Sequence, residues 1–181
     1  MNAIYTKIIE QLTNNQNVFT EAGLLPIRHI DKFRGQYMNP EAHESFETPA
    51  VFYKWGANWV DVGGNVQRGD VSVELHVVLD NYHSVAANSS DYAEGMKIDT
   101  YYELINTLVH GLSGQKFSAL KRTSDQPDDM PTHLIVHIIN YKCNYTDATA
   151  ANVQKYLYVA GENVSLQSTI HKDTQYSIDL T

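Results

Sequence analysis

The sequence predicts an α+β fold: a mainly antiparallel sheet with an N-terminal helix and one central helix packed on it, plus a C-terminal β-hairpin. Three observations carry this. Between residues 71 and 80, Val71, Val73, Leu75, Val77 and Leu79 share one side while Ser72, Glu74, His76 and Asp80 share the other, with Val78 out of step. A period of two marks a strand with one buried face. Two other segments, 2–13 and 100–112, repeat their apolar residues at helical spacing instead. The order of elements is helix, strands, helix, strands, without the strand–helix alternation that builds a parallel sheet.

Ile4, Ile8 and Leu12 form the stripe of the first helix, which ends at the Asn14–Asn17 run. A short helix with one apolar stripe has to dock on something, because its propensity alone does not hold it. Residues 27–34 read as a strand and 35–47 as a long polar loop, of a length that is commonly functional or mobile. Pro49 opens the stretch Ala50-Val51-Phe52-Tyr53, which continues through Trp55, Trp59, Val60 and Val62 to a break at Gly63-Gly64. Proline fits the first residue of a strand, where its missing N–H costs little. The alternating strand follows, so the two pair antiparallel around the glycines. Residues 84–95 are small and polar, again a loop. Thr100 and Glu103 have the spacing of a capping box, which places a helix start there; Leu104, Ile105 and Leu108 lead its apolar face, and Gly111 and Gly114 end it. Residues 117–122 read as a strand, 125–131 as an acidic turn, and 133–145 as a strand inside the sheet, apolar on both sides at its start. In the tail, 155–160 and 163–170 read as a hairpin around Gly161-Glu162. The domains expected are 1–147 and a C-terminal extension, 148–181.

The chain has 181 residues and a net charge of −8, with 21 acidic against 13 basic side chains. That balance argues against a surface built to hold phosphates. A single cysteine, Cys143, excludes an intrachain disulfide and a cysteine-based zinc site. The lone cysteine fits a reducing cytoplasm, and there is no N-terminal apolar run of signal-peptide length and no window approaching a membrane span. Twelve tyrosines against five phenylalanines favour amphipathic aromatics, which suit protein interfaces.

Chemistry is sparse. His133 and His137 lie on one face of a strand, and His76 and His83 flank the end of another, but pairs do not make the three or four convergent ligands of a zinc site. Asp125, Asp128 and Asp129 cluster without the spacing of a calcium loop and read as a solvated acidic turn. Cys143 has no neighbouring base in sequence and reads as a small core hydrophobe. Gly63-Gly64 precedes a strand, whereas phosphate-cradling glycines precede a helix. No catalytic, cofactor-binding or metal-binding residue is expected. The candidate contact residues for partners are Trp55 and Trp59 as aromatic anchors, Glu41 and Glu44 in the first long loop, and Asp125, Asp128 and Asp129 in the acidic turn. Sheet edges and the loops 35–47 and 84–95 are the expected contact surfaces.

One resemblance draws these pieces together. A helix and loop are followed by T-P-A-V-F-Y (Thr48 to Tyr53), a Gly/Gln-containing connection (Gly63 to Gly69) and an alternating strand (Val71 to Leu79). Then come a helix of the form D-x-x-x-E-L-I-x-x-L (Asp99, Glu103, Leu104, Ile105, Leu108) and a strand Y-x-C-x-Y-x-D (Tyr141, Cys143, Tyr145, Asp147). This order resembles the tail terminator (head–tail joining, neck) proteins of bacteriophages and prophages, over residues 1–147. The resemblance implies a structural virion protein without an active site or cofactor. Such a protein forms a homo-oligomeric ring, commonly a hexamer, that caps the tail tube and joins it to the head connector. DNA passes through without specific binding, no membrane is involved, and the protein is assembled in the host bacterial cytoplasm. Another tail-completion, head-completion or tube protein is the nearest alternative, and a small hydrolase using the histidines or a ligand-binding domain are the others.

Overall fold

A computed structural model describes residues 2–80, 83–128 and 134–151. Its elements are α1 (Asn2–Asn14), α2 (Asn17–Glu21), β1 (His29–Lys32), a 3-10 turn at Pro40–Ala42, β2 (Ala50–Asp61), β3 (Gln67–Leu79), α3 (Tyr92–Gly95), α4 (Lys97–Val109), β4 (Lys121–Pro127) and β5 (Ile135–Asp147). The five strands form one mixed, mostly antiparallel sheet in the order β1-β2-β3-β5-β4. The α+β class and both packed helices are therefore present. The C-terminal hairpin expected at 155–170 lies outside the described residues, as do Asp129 and His133.

The chain divides into two compact units, residues 1–58 with 69–145 and residues 59–68 with 146–181. In the first unit the odd-numbered side chains of the sheet, Val51, Tyr53, Val71 to Leu79, Ile139, Tyr141, Cys143 and Tyr145, bury against Ile4, Ile8 and Leu12 of α1 and Tyr101, Ile105 and Val109 of α4. Phe19 of α2 stacks on Tyr101 at 4.9 Å between ring centres, and the Tyr101 hydroxyl donates to the Leu25 carbonyl at 3.1 Å. The short α2, hidden in a run of Asn and Gln, thus closes one end of the helical layer.

Several expectations change. Helix α4 starts at Lys97, a turn before Thr100, and its N-cap Met96 offers no side-chain cap. Thr100 and Glu103 are interior, so the capping-box reading fails; the helix follows almost directly on α3, whose chain end is held by backbone hydrogen bonds. Its deepest residues are Tyr101, Ile105 and Val109, while Leu104 and Leu108 are half-buried. The strand placed at 117–122 begins later, at Lys121. Phe117 instead bridges Gly114 and Tyr145, and Leu120 is fully buried. Asp125, read as part of a turn, sits in β4 opposite Ile139. Strand β1 pairs parallel with β2, His29 opposite Ala50 through Lys32 opposite Tyr53.

In the second unit, the described hairpin end turns at Gly63-Gly64-Asn65, all three left-handed (φ 89°, 62° and 57°). Glycine takes that conformation at no steric cost and asparagine at little, which is why the break falls there. The Asp61 carboxylate accepts from the Gly63 N–H at 2.9 Å, and the Val62 N–H donates to the Val66 carbonyl at 3.0 Å.

Candidate functional site

The sheet face away from the helices carries the features that the alternation conceals. The alternation of β3 puts Ser72, Glu74 and His76 on the side opposite its apolar residues, yet His76 is 2% exposed. The loop 33–47 is the reason. It folds over this face, and Tyr37 with Phe33 and Phe46 packs on Ala50, Phe52, Val78 and Val136. Val78, out of step with its strand, belongs to this second core. The loop is thus a packed cover and not a free connection. Phe33 stacks on His76 at 4.1 Å.

Beneath the cover runs a chain of polar groups drawn from distant parts of the sequence. The Tyr37 hydroxyl donates to Asp128 Oδ2 at 2.6 Å and lies 2.8 Å from His76 Nδ1. A hydroxyl has one proton, and Asp128 receives it. The second contact is therefore made by His76, whose Nδ1–H donates to the tyrosine oxygen. Neutral His76 then holds its lone pair on Nε2, which is buried and without a hydrogen-bond partner among the described residues. Glu74 Oε2 stands 3.4 Å from that nitrogen and forms an ion pair with it only when the ring is protonated. Glu74 is itself paired with Lys54 at 2.8 Å. Burial holds the His76 imidazole below its usual value, opposed in part by Glu74. Burial, with the Asp128 carboxylate added, raises the Tyr37 hydroxyl well above the ordinary phenol, so it stays a donor. Asp128 is thus half-buried and engaged, which overturns its reading as a solvated turn residue. The arrangement joins three segments, the loop, β3 and the end of β4, and behaves as a strut.

The remaining predicted contact residues are dispersed. Trp55 is 44% exposed on β2 and Trp59 37% exposed in the hairpin end. Glu41 lies exposed in the 3-10 turn; Glu44, also exposed, lines a small hollow with His29, Asp31, Arg34 and His43. Asp125 is exposed, paired with Arg122 at 3.0 Å and 4.0 Å from His137 Nε2. His137 itself stacks on Tyr102 at 4.1 Å, and burial lowers its pKa. Burial pushes the Cys143 thiol up to about 11, the behaviour of an unreactive core cysteine. Among the described residues no three His, Cys, Asp or Glu side chains converge as metal ligands, and no helix is long and apolar enough to cross a membrane.

Both outer strands of the sheet are poor templates for strand addition. Strand β1 has four residues, and its Lys32 carbonyl accepts from Gln36 Nε2 at 2.7 Å. Strand β4 is exposed along its whole length, carries Lys121, Arg122 and Asp125, shifts register between Arg122 and Ser124, and ends in Pro127. Charges, a bulge and proline blunt an edge against pairing. The apolar exposure lies elsewhere. Val60 and Val62 in the hairpin end are 64% and 54% exposed. In the first unit an apolar groove of about 710 Å³ is lined by Val85, Tyr92, Met96, Ile98, Tyr102 and Ile135, among others. Beyond Lys54 and Glu74, a groove of about 880 Å³ with a mixed polar and apolar lining lies over Gly56, Asn58, Ser72, Lys142 and Asn144.

Comparison with known proteins finds no family model and no curated sequence that matches this chain.

Proposed function

We propose that this chain is a structural, ring-forming subunit of a phage or prophage tail, of the terminator type: it caps the tail tube, joins it to the head connector and acts in the virion after assembly in the bacterial cytoplasm. It uses no cofactor and performs no catalysis. The observation that carries the assembly part is the set of large apolar side chains left exposed on a chain with a well-filled core, Trp55, Trp59, Val60, Val62, Val85, Tyr92 and Met96. Val60 and Val62 lie together in the hairpin end and Val85, Tyr92 and Met96 line one groove, and grouped apolar exposure of this kind supports a partner-binding surface. The tail part rests on the order of elements over residues 1–147, described above. The excess of acidic side chains, 21 against 13, supports a lumen that does not grip passing DNA.

The deciding experiment is the mass of the protein in solution, alone and with a candidate tail tube protein. A closed oligomer that binds the end of tubes and stops their growth is the expected result; a monomer indifferent to tubes overturns the reading. Duplex DNA should not bind at moderate salt, nor more tightly as salt is lowered. Micromolar binding that weakens steeply with salt would remove the electrostatic support.

A further inference from the structure

We infer that copies of this chain associate head to tail, the hairpin end 59–68 of one copy seating its apolar tip in the groove between the 84–95 segment, α4 and β5 of the next. The inference rests on the proposed reading only in taking the chain as self-assembling; it holds for a tail ring or any other closed assembly.

Four observations converge on this pairing. The tip presents Val60 and Val62 outward, each more than half exposed, on a turn held by three backbone-directed hydrogen bonds: Gly63 N–H to Asp61, Val62 N–H to Val66, and Val66 N–H to Gly63. A β-branched pair on a fixed turn loses little conformational entropy on docking. The groove offers matching chemistry, with Val85, Tyr92 and Met96 exposed on its walls by 56%, 40% and 38%. One wall is held close: a Cβ on Gly95 would lie 2.7 Å from the Ser84 carbonyl oxygen, so Ser84 and Val85 pack down on the end of α3 at that glycine.

Charge matches as well. Arg68, at the base of the tip, and Asp99, on the groove wall, are both exposed, and neither makes an ion pair with another described residue. Finally, the blunted edges of β1 and β4 disfavour the alternative of joining copies by strand addition. A tip and a groove on the same chain are different surfaces, so their contact repeats from copy to copy. It closes into a ring when the rotation allows and runs on as a filament when it does not.

The test uses the full chain and two exposed double variants. Val60→Glu with Val62→Glu spoils the tip; Val85→Glu with Met96→Glu spoils the groove. Circular dichroism and thermal melting confirm that both are folded, and solution mass is then measured. The wild type should assemble, each variant alone should be monomeric, and an equimolar mixture should give a one-to-one heterodimer and nothing larger, since only one tip and one groove remain intact between them. In addition, Arg68→Glu should shift assembly to higher concentration and Asp99→Arg in the same chain should shift it back. Assembly that survives in either double variant, or a mixture that stays monomeric, overturns the tip-and-groove contact while leaving the ring reading standing. A wild type that is monomeric at every concentration overturns both.

Discussion

The two faces of the sheet are buried by different means. On one face, α1 and α4 lay apolar stripes over the odd-numbered residues of β2, β3 and β5. On the other, a loop of irregular backbone covers a smaller cluster, Tyr37, Ala50, Phe52, Val78 and Val136, and brings polar side chains under cover with it. A helix satisfies its own backbone hydrogen bonds and needs only a greasy side. A loop does not. Here Gln36 takes up part of that task, accepting from the Arg34 N–H and donating to the Lys32 carbonyl, both at 2.7 Å. The lesson is that the helix face draws its stability from area, while the loop face depends on a few hydrogen bonds being made together.

The sharpest way to break the comparison is to weaken each face in turn. Ile105→Ala on the helix face should cost about 2–5 kcal/mol, the usual range for a large-to-small change at a fully buried site, with no change in denaturant m-value. A loss below about 0.5 kcal/mol would put α4 outside the core. On the loop face, Tyr37→Phe keeps the ring and removes the hydroxyl, leaving the His76 Nδ1–H without its acceptor and Asp128 without its donor. The expected loss is about 1–3 kcal/mol, the cost of a buried polar group left unsatisfied. Faster exchange of backbone amides in 33–47 should accompany it. A neutral outcome would reduce the strut to a passive contact.

Smaller in size is the effect of pH. His76 has its folded-state pKa held below the ordinary 6.5. The unfolded chain therefore binds the proton more readily than the folded one, and stability rises with pH between the folded and unfolded values. Its contribution should be complete above about 6.5 and be lost as pH falls below it. Because burial lowers His137 in the same direction, the readout is a difference: unfolding midpoints of wild type and His76→Gln across pH 5 to 8 should diverge in slope below that point. Parallel curves would mean that the Glu74 carboxylate offsets the burial of His76 in full.

The smallest effect sharpens the helix face. The Tyr53 hydroxyl is buried without a hydrogen-bond partner among the described residues, and burial raises its pKa far above the ordinary phenol. Tyr53→Phe should leave stability unchanged or raise it by up to about 1 kcal/mol, since nothing made is lost and a desolvated hydroxyl is removed. A loss of that size instead would reveal a partner for the hydroxyl.

By itself the sequence determined the class of the fold, the α1 stripe, the β2–β3 hairpin with its glycine turn, the long β5 and the helix that became α4. Each of these is local: its residues repeat with a period, or demand a left-handed turn, within a dozen positions. The same reasoning misplaced the start of α4, which follows on α3 without a side-chain cap, and of β4, since Phe117 makes only isolated bridges to Gly114 and Tyr145 before the strand begins at Lys121. Only the tertiary structure decided which of the polar positions on β3 is solvated. His76 reads like Ser72 and Glu74 along the strand, and Val78 alone hints that the face is covered farther on. What buries His76 is Tyr37 and Phe33, some forty residues earlier, and what holds Tyr37 is Asp128, some ninety residues after that tyrosine. No periodicity encodes such contacts, since they arise from where the folded chain brings its loops, and a desolvated hydrogen bond has no signature until both of its partners are in place.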